Sequence, residues 1–464
     1  MKATVTRRTL LGGSLVAGAG MLAAACGQAM PAAPAEGEAP AAKEEAAKPA
    51  EETKAMEPKK VVYLHYTTTQ AVWEENFGQI FDNFRAQFPE AELQVDAVTG
   101  GFGVLIEKAV ASFAGNVPID MYYGHFSYIS QFAQQEMIQP LDPFIAKDAD
   151  VAREDFYDHA LEKIQGQIYG IAWFNQGKEF WYNADQVTEA GLTSPNDLVA
   201  EGKWTWDAAL EFAQKLTKRE GANTTRWGFF YAYHSTGWFG HHLKAWGADW
   251  WNDDISAATM DTPEFAAAVQ AAQDLVVKHE VSPRISSPSE NDAKASFEEE
   301  TLASRLASGA NTRSFQANIM SKDKPFNIGH ALLPEGPGGR NTIQALNANY
   351  LSSSAPQADL AWELYKILVG PESDQQIARL GGRRYTASRK QSPVTLWPYE
   401  NADVYAQMAE LSDGAQQIVK QSEVNGAWSQ GWKDIEDGVR TIQEVQEELQ
   451  QVATIALEEG GCIC

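Results

Sequence analysis

Between residues 228 and 251 the chain reads GFFYAYHSTGWFGHHLKAWGADWW, which gathers Trp238, Trp246, Trp250 and Trp251 with His234, His241 and His242. Two kinds of chemistry could use these residue types. Histidines can ligate zinc, but a zinc site needs ligands that converge. His241 and His242 are adjacent, so on a regular element they point apart. No cysteine is near, and a carboxylate ligand would have to come from Asp249 or from farther away. No metal is expected, and the histidines suit hydrogen bonding at the rim of a cleft. The tryptophans point elsewhere. An indole buries a large flat area with few rotamers to freeze, and it donates through its N–H. Such platforms fit a ligand that presents a C–H face and a rim of hydroxyls, as a sugar does. Trp238, between Gly237 and Phe239 in a turn-like context, is the first candidate platform and Trp246 the second. Trp250 and Trp251 precede Asn252-Asp253-Asp254 and read as cover near a hairpin. Phe229, Phe230 and Tyr231 read as a core strand.

Signatures of covalent or metal-assisted hydrolysis are missing. The sequence has no Gly-x-Ser-x-Gly elbow and no His-Glu-x-x-His pair. With 62 acidic residues, carboxylate pairs occur throughout, so a secreted carbohydrate-active hydrolase using two carboxylates remains the alternative function. No cofactor is expected. The formal net charge of −25 disfavours nucleic acid, whose phosphates need a basic surface, and it equally disfavours docking on anionic lipid.

These residues must be positioned by a fold, and 464 residues suffice for two globular domains. The N-terminus stands apart from it. Arg7-Arg8 precedes an apolar run from Leu10 to Ala25, and MLAAAC leads into Cys26. Residues 1–26 therefore read as a twin-arginine-like lipoprotein signal, with Cys26 the lipidated first residue of an exported, membrane-anchored protein. Residues 27–59, rich in Ala, Pro, Glu and Lys, lack apolar side chains for a core and read as a disordered tether. Cys462 and Cys464 lie in a tail over 459–464, one residue apart, an awkward spacing for a disulfide.

Folded sequence starts at KKVVYLHYTTT, a buried-strand pattern. In WEENFGQIFDNFRAQFP, residues Phe77, Ile80, Phe81, Phe84 and Phe88 share one helical face, and Pro89 stops the helix. Strands at ELQVDAVT and IDMYYG then alternate with helices, which implies a parallel sheet covered on both faces. Ligands of such sheets bind beyond the strands' carboxyl ends, here near Tyr66 and Tyr123. Thr205 should cap the helix WDAALEFAQKL, and Pro263 should open another. The segment from Asp434 to Leu457 reads as one closing amphipathic helix.

GQIYGIAWF, EFWYNADQVTEAGL and WTWDAALEFAQKLT, in that order, resemble the family 1 extracellular solute-binding proteins of ABC importers, relatives of maltose-binding protein. Further matches are GADWWNDD with TMDTPEFAAAV, ALLPEGPGG, and AWELYKILVGPESDQQIARLGGRRYTASRK. The chain departs from the family pattern at Ala172 (usually Pro), at Gly-Gly-Arg-Arg-Tyr (usually Gly-Gly-x-Pro), and at residues 311–315, which replace a Gly-Trp.

The resemblance implies an α/β, two-lobed periplasmic-binding-protein-like fold of class II type. Each lobe would be a mixed sheet flanked by helices, the two joined by a hinge. Lobe 1 would comprise residues 60–171 and 334–371, and lobe 2 residues 172–333 and 372–458. Crossings would fall near Gly170–Trp173, Leu333–Pro334 and Val369–Pro371. Ligand contacts would then include Trp173, Phe174 and Gln176 after the first crossing, Arg313 and Phe315 in place of the Gly-Trp, and Arg384 and Tyr385 at the hinge motif. Asn347 and Trp428 complete the set. An Arg fork holds a carboxylate well, so Arg313 with Arg384 makes a sugar acid an alternative to a neutral mono- or oligosaccharide. The implied partners are the carbohydrate and the permease subunits of an ABC importer, with the binding protein a monomer that performs no chemistry.

Overall fold

A computed structural model describes residues 59–67, 70–308, 312–380, 388–390, 402–414 and 418–460. The expected signal, Cys26, the tether up to residue 58, Arg384, Tyr385 and the terminal cysteines lie outside the described residues, as do the side chains of Gln176 and Arg313.

The chain builds two modules, each with its own sheet and core. In the first, β1 (Lys59–Tyr66), α1 (Gln70–Gln87), β2 (Ala91–Val98), α2 (Phe102–Ala114) and β3 (Met121–His125) follow the expected alternation. β1 runs parallel to both β2 and β3. Then β4 (Leu161–Ile164) and β5 (Gln167–Gln176) pair antiparallel. The second module starts with β6 (Lys178–Asn183) and continues through α3 (Trp206–Leu216), α4 (Thr236–Ala245), α5 (Pro263–Val277), β7 (Ser304–Ser308) and β8 (Ile328–Ala331). β9 (Thr342–Leu351), α6 (Ala358–Leu368), α7 (Pro371–Leu380) and β10 (Ser412–Gly414) return to the first module, and α8 (Gln421–Glu436) with α9 (Ile442–Gly460) closes the second. The first sheet has the order β2-β1-β3-β9-β5-β4, with β10 paired to β9. The second is a three-stranded antiparallel sheet in the order β8-β6-β7.

Local sequence accounts for these elements. The Thr205 hydroxyl accepts from Ala208 N–H at 3.2 Å, and Thr262 caps α5 with Pro263 behind it. Asp120 ties the first module together. Its carboxylate accepts from Val62 N–H at 2.8 Å and from Gln357 N–H at 2.7 Å, so it links β1 to the entrance of α6.

The structure corrects several expectations. The first crossing falls at Gly177, between β5 and β6, rather than at Gly170–Trp173. β5 keeps alternating into the first core, burying Ile171 and Trp173 before it leaves the sheet. α7 stays with the first module, where Ser373 Oγ accepts from Trp173 Nε1 at 2.9 Å, so that module extends past residue 371. The closing amphipathic helix is a hairpin of α8 and α9. Gly438, at φ 68°, breaks it. Thr441 and Glu444 then restart the helix with a reciprocal cap: Thr441 N–H donates to Glu444 Oε2 at 2.8 Å, and Glu444 N–H donates to Thr441 Oγ1 at 3.2 Å. Finally, Trp238 sits on helix α4, not on a turn, and Trp250 and Trp251 are buried in the second core instead of covering a hairpin.

Candidate functional site

From the first module come the carboxyl ends of β1 and β3. Tyr66, half-buried, stacks on Phe102 with ring centroids 4.8 Å apart. Phe102 lies 5.4 Å from His125, whose ring is 4.2 Å from Phe126. Gly100 and Gly101, at φ 105° and 103°, make the turn that delivers Phe102 to this strip.

α4 and the start of β6 supply the second wall. A small pocket of about 40 Å³ is lined by Phe126 from the first module, by Lys178, Thr236, Gly237, Gly240 and His241 from the second, and by Ile343 of β9. Gly240 allows α4 this close to β9, since a Cβ there would meet Ile343 Cδ1 at 3.0 Å and Trp250 Nε1 at 3.3 Å. A second pocket of about 370 Å³ shares Phe126 and Gly414 with the first, and it sets Asp253 and Ile255 of the second module against His159 and Lys163 of the first.

The polar groups of the first pocket differ in how well they are matched. Lys244 Nζ is held 2.6 Å from Asp249 and 3.3 Å from Asp413, so its charge is neutralised twice. Lys178 Nζ lies 4.6 Å over the Trp238 ring. It is only 7% exposed, and burial brings its pKa down to about 8. His241 Nδ1 accepts from Ile343 N–H at 2.8 Å, which leaves the proton of the neutral ring on Nε2. Burial, and secondarily the Lys178 charge, holds His241 well below the usual histidine range. The same two causes bring His125 down to about 4. His242 points away and makes a 2.7 Å bond to Ala268 O. The histidines therefore diverge, and among the described residues no group of three or more metal-ligating side chains comes together.

None of the expected contacts lines this pocket directly. Trp238 comes nearest, its half-buried ring lying beneath Lys178, which does line it, and Tyr66 belongs to the aromatic strip. Asn347 pairs in register with His125, and its buried Oδ1 has no hydrogen-bond partner. Trp173, Phe174 and Tyr123 are packed in the first core, Tyr123 stacking on His65 at 4.2 Å. Trp428 is fully buried in the second core and donates to Tyr233 O at 2.9 Å. The rings of these four are covered by the protein itself. Trp246 packs half-buried at the edge of the second core, 4.2 Å from His242 and 5.2 Å from Trp206. Phe315 packs 5.5 Å from Trp181, with the Arg305 guanidinium 4.9 Å over its ring. Sequence reasoning missed Lys178, Phe102, His125 and Phe126. The Gly-Gly before Phe102 was the available signal.

Two α/β modules joined by chain crossings, with a pocket lined from both, define a binding protein of the periplasmic-binding-protein class. The chain belongs to the bacterial extracellular solute-binding protein family, whose model matches residues 66–375. No curated protein matches it significantly by sequence. Its fold is similar to that of the sugar-binding protein MalE from Xanthomonas citri (17% identity, TM-score 0.71, covering 86% of this chain and 98% of that one). It is similar also to the cyclic α-maltosyl-1,6-maltose binding protein from Arthrobacter globiformis (19% identity, TM-score 0.70, 87% and 100%). A third similar structure is an ABC substrate-binding protein from Listeria monocytogenes in complex with cycloalternan (16% identity, TM-score 0.69, 86% and 99%).

Proposed function

We propose that this chain is the solute-capturing subunit of an ABC importer and that it takes a carbohydrate into the pocket between its modules. The observation that carries this reading is the half-buried indole of Trp238 beside a pocket lined from both modules. The sugar-binding proteins that share its fold support it. A mono- or oligosaccharide stacks its C–H face on the indole, while Thr236, His241 and backbone near Gly237 and Gly240 meet its hydroxyls. Ligand contacts made by both modules favour their closed arrangement, and the permease recognises that loaded form. The ligand leaves as it entered, without bond cleavage. The twin arginines export the protein, a lipid on Cys26 anchors it, and residues 27–58 give the monomer reach towards its permease. Among the described residues no helix is long and apolar enough to cross a membrane.

A thermal-shift screen over mono-, di- and oligosaccharides, sugar acids and polyols tests the reading, because a ligand that binds only the folded state raises its melting temperature. A carbohydrate that raises it and is recovered intact supports capture. Product release supports the hydrolase alternative, and silence across the panel removes the proposal.

A further inference from the structure

Lys178 is the first residue after the chain crosses from one module to the other, and its ammonium lines the pocket. Burying an ammonium costs several kcal/mol unless a counter-charge accompanies it. Among the described residues no carboxylate comes within 4.0 Å of Nζ and none accepts a hydrogen bond from it; it lies 4.6 Å over the face of Trp238. Lys244, a turn of helix away from His241, shows the opposite arrangement, with Asp249 and Asp413 both in contact. One cation of this pocket is matched twice and the other not at all. The partners still unfilled are complementary in kind. Gln421 Oε1 is a buried acceptor without a donor, and His241 Nε2 is a buried nitrogen without a partner; both residues line the same pocket.

We propose that Lys178 binds a carboxylate of the ligand, so that the carbohydrate taken into this pocket is a sugar acid. This rests on the reading of the pocket as a carbohydrate site. The charge count favours a carboxylate over a phosphate. A single unmatched ammonium balances one negative charge, and a phosphate dianion would also face Asp249 across the same pocket. The lowered proton affinity of Lys178 agrees, since a bound anion restores the charged form that burial disfavours.

The test uses matched pairs of probes on the full chain: glucuronate with glucose, galacturonate with galactose, and digalacturonate with maltose. Calorimetry on the wild type should show at least one acid binding tenfold or more tighter than its neutral partner. Lys178→Met keeps most of the apolar stem, and it should lose that preference while melting at or above the wild-type temperature. Near pH 8, binding of the acid should also take up about half a proton, seen as a dependence of the heat on buffer ionisation enthalpy. The other groups around Nζ do not contribute this uptake: His125 and His241 are neutral there, and Lys244 is held charged by Asp249 and Asp413. Neutral sugars bound as well as their acids would overturn this inference and leave carbohydrate capture standing. A Lys178→Met protein that keeps the acid preference would also overturn it. No binding by any probe would overturn both, and the wild-type comparison stands even if the variant fails to fold.

Discussion

Trp428 offers a sharp test of which aromatics hold the fold and which meet the ligand. Its ring is fully buried, 4.5 Å from Phe239 and 5.5 Å from Trp250 between centroids, and its N–H satisfies Tyr233 O at 2.9 Å. Trp428→Ala removes the ring and leaves a cavity, a change that costs about 3–5 kcal/mol. It also strands a buried carbonyl, worth about 1–3 kcal/mol and partly included in the first figure. The expected loss is about 4–6 kcal/mol, a large share of the roughly 5–15 kcal/mol by which domains are stable. Urea titration followed by far-UV circular dichroism measures it. Trp428→Phe keeps most of the packing and loses the hydrogen bond, so it should cost about 1–2 kcal/mol. The fraction still folded should bind carbohydrate with wild-type affinity. A Trp428→Ala protein that loses under 1 kcal/mol but no longer binds would refute the assignment of this ring to the core.

Trp238→Ala should behave the opposite way, lowering stability by about 1–2 kcal/mol because the ring is half-buried, while weakening carbohydrate binding at least tenfold by calorimetry. Glu162 is buried and accepts a hydrogen bond from the Tyr350 hydroxyl, and burial pushes its carboxyl up to about 8. A raised carboxyl stabilises the fold fully below its ordinary value of 4.5 and loses that contribution as pH rises through 8. Glu162→Gln should therefore gain stability relative to wild type between pH 5 and pH 9, by up to a few kcal/mol; urea midpoints that stay parallel over this range would contradict it. Thr441→Ala removes the cap that restarts the closing hairpin and should cost about 1 kcal/mol by the same titration, with ligand affinity unchanged.

Much of the fold can be read from residue pattern. The alternation around β1–β3 and the phenylalanine stripe of α1 belong to a sheet covered by helices, and Thr205 and Pro263 mark helix starts where they stand. Glycine misleads in two places. HSTGWFGHHLKAW and NGAWSQGW look like turns, yet both are helical. Their glycines serve close packing: Gly240 lets α4 approach β9, and a Cβ on Gly431 would collide with Val445 Cγ1 between α8 and α9. A short-range pattern cannot show that the missing side chain is required by a neighbour far along the chain. The site was legible only in part for a related reason. Trp238 stands out by composition, whereas Trp173 and Trp428 look equally suited and are buried by partners distant in sequence. Lys178 carries no signal in its local context. Its significance arises because the crossing falls at Gly177 and sets the residue in the pocket lining, where among the described residues no carboxylate lies within 4.0 Å of its ammonium.

Closure of the two modules around a carbohydrate can be followed by small-angle scattering with and without a sugar shown by calorimetry to bind. The radius of gyration should fall at saturation and recover when the sugar is dialysed away. A scattering curve that does not change while calorimetry reports a filled site would contradict closure.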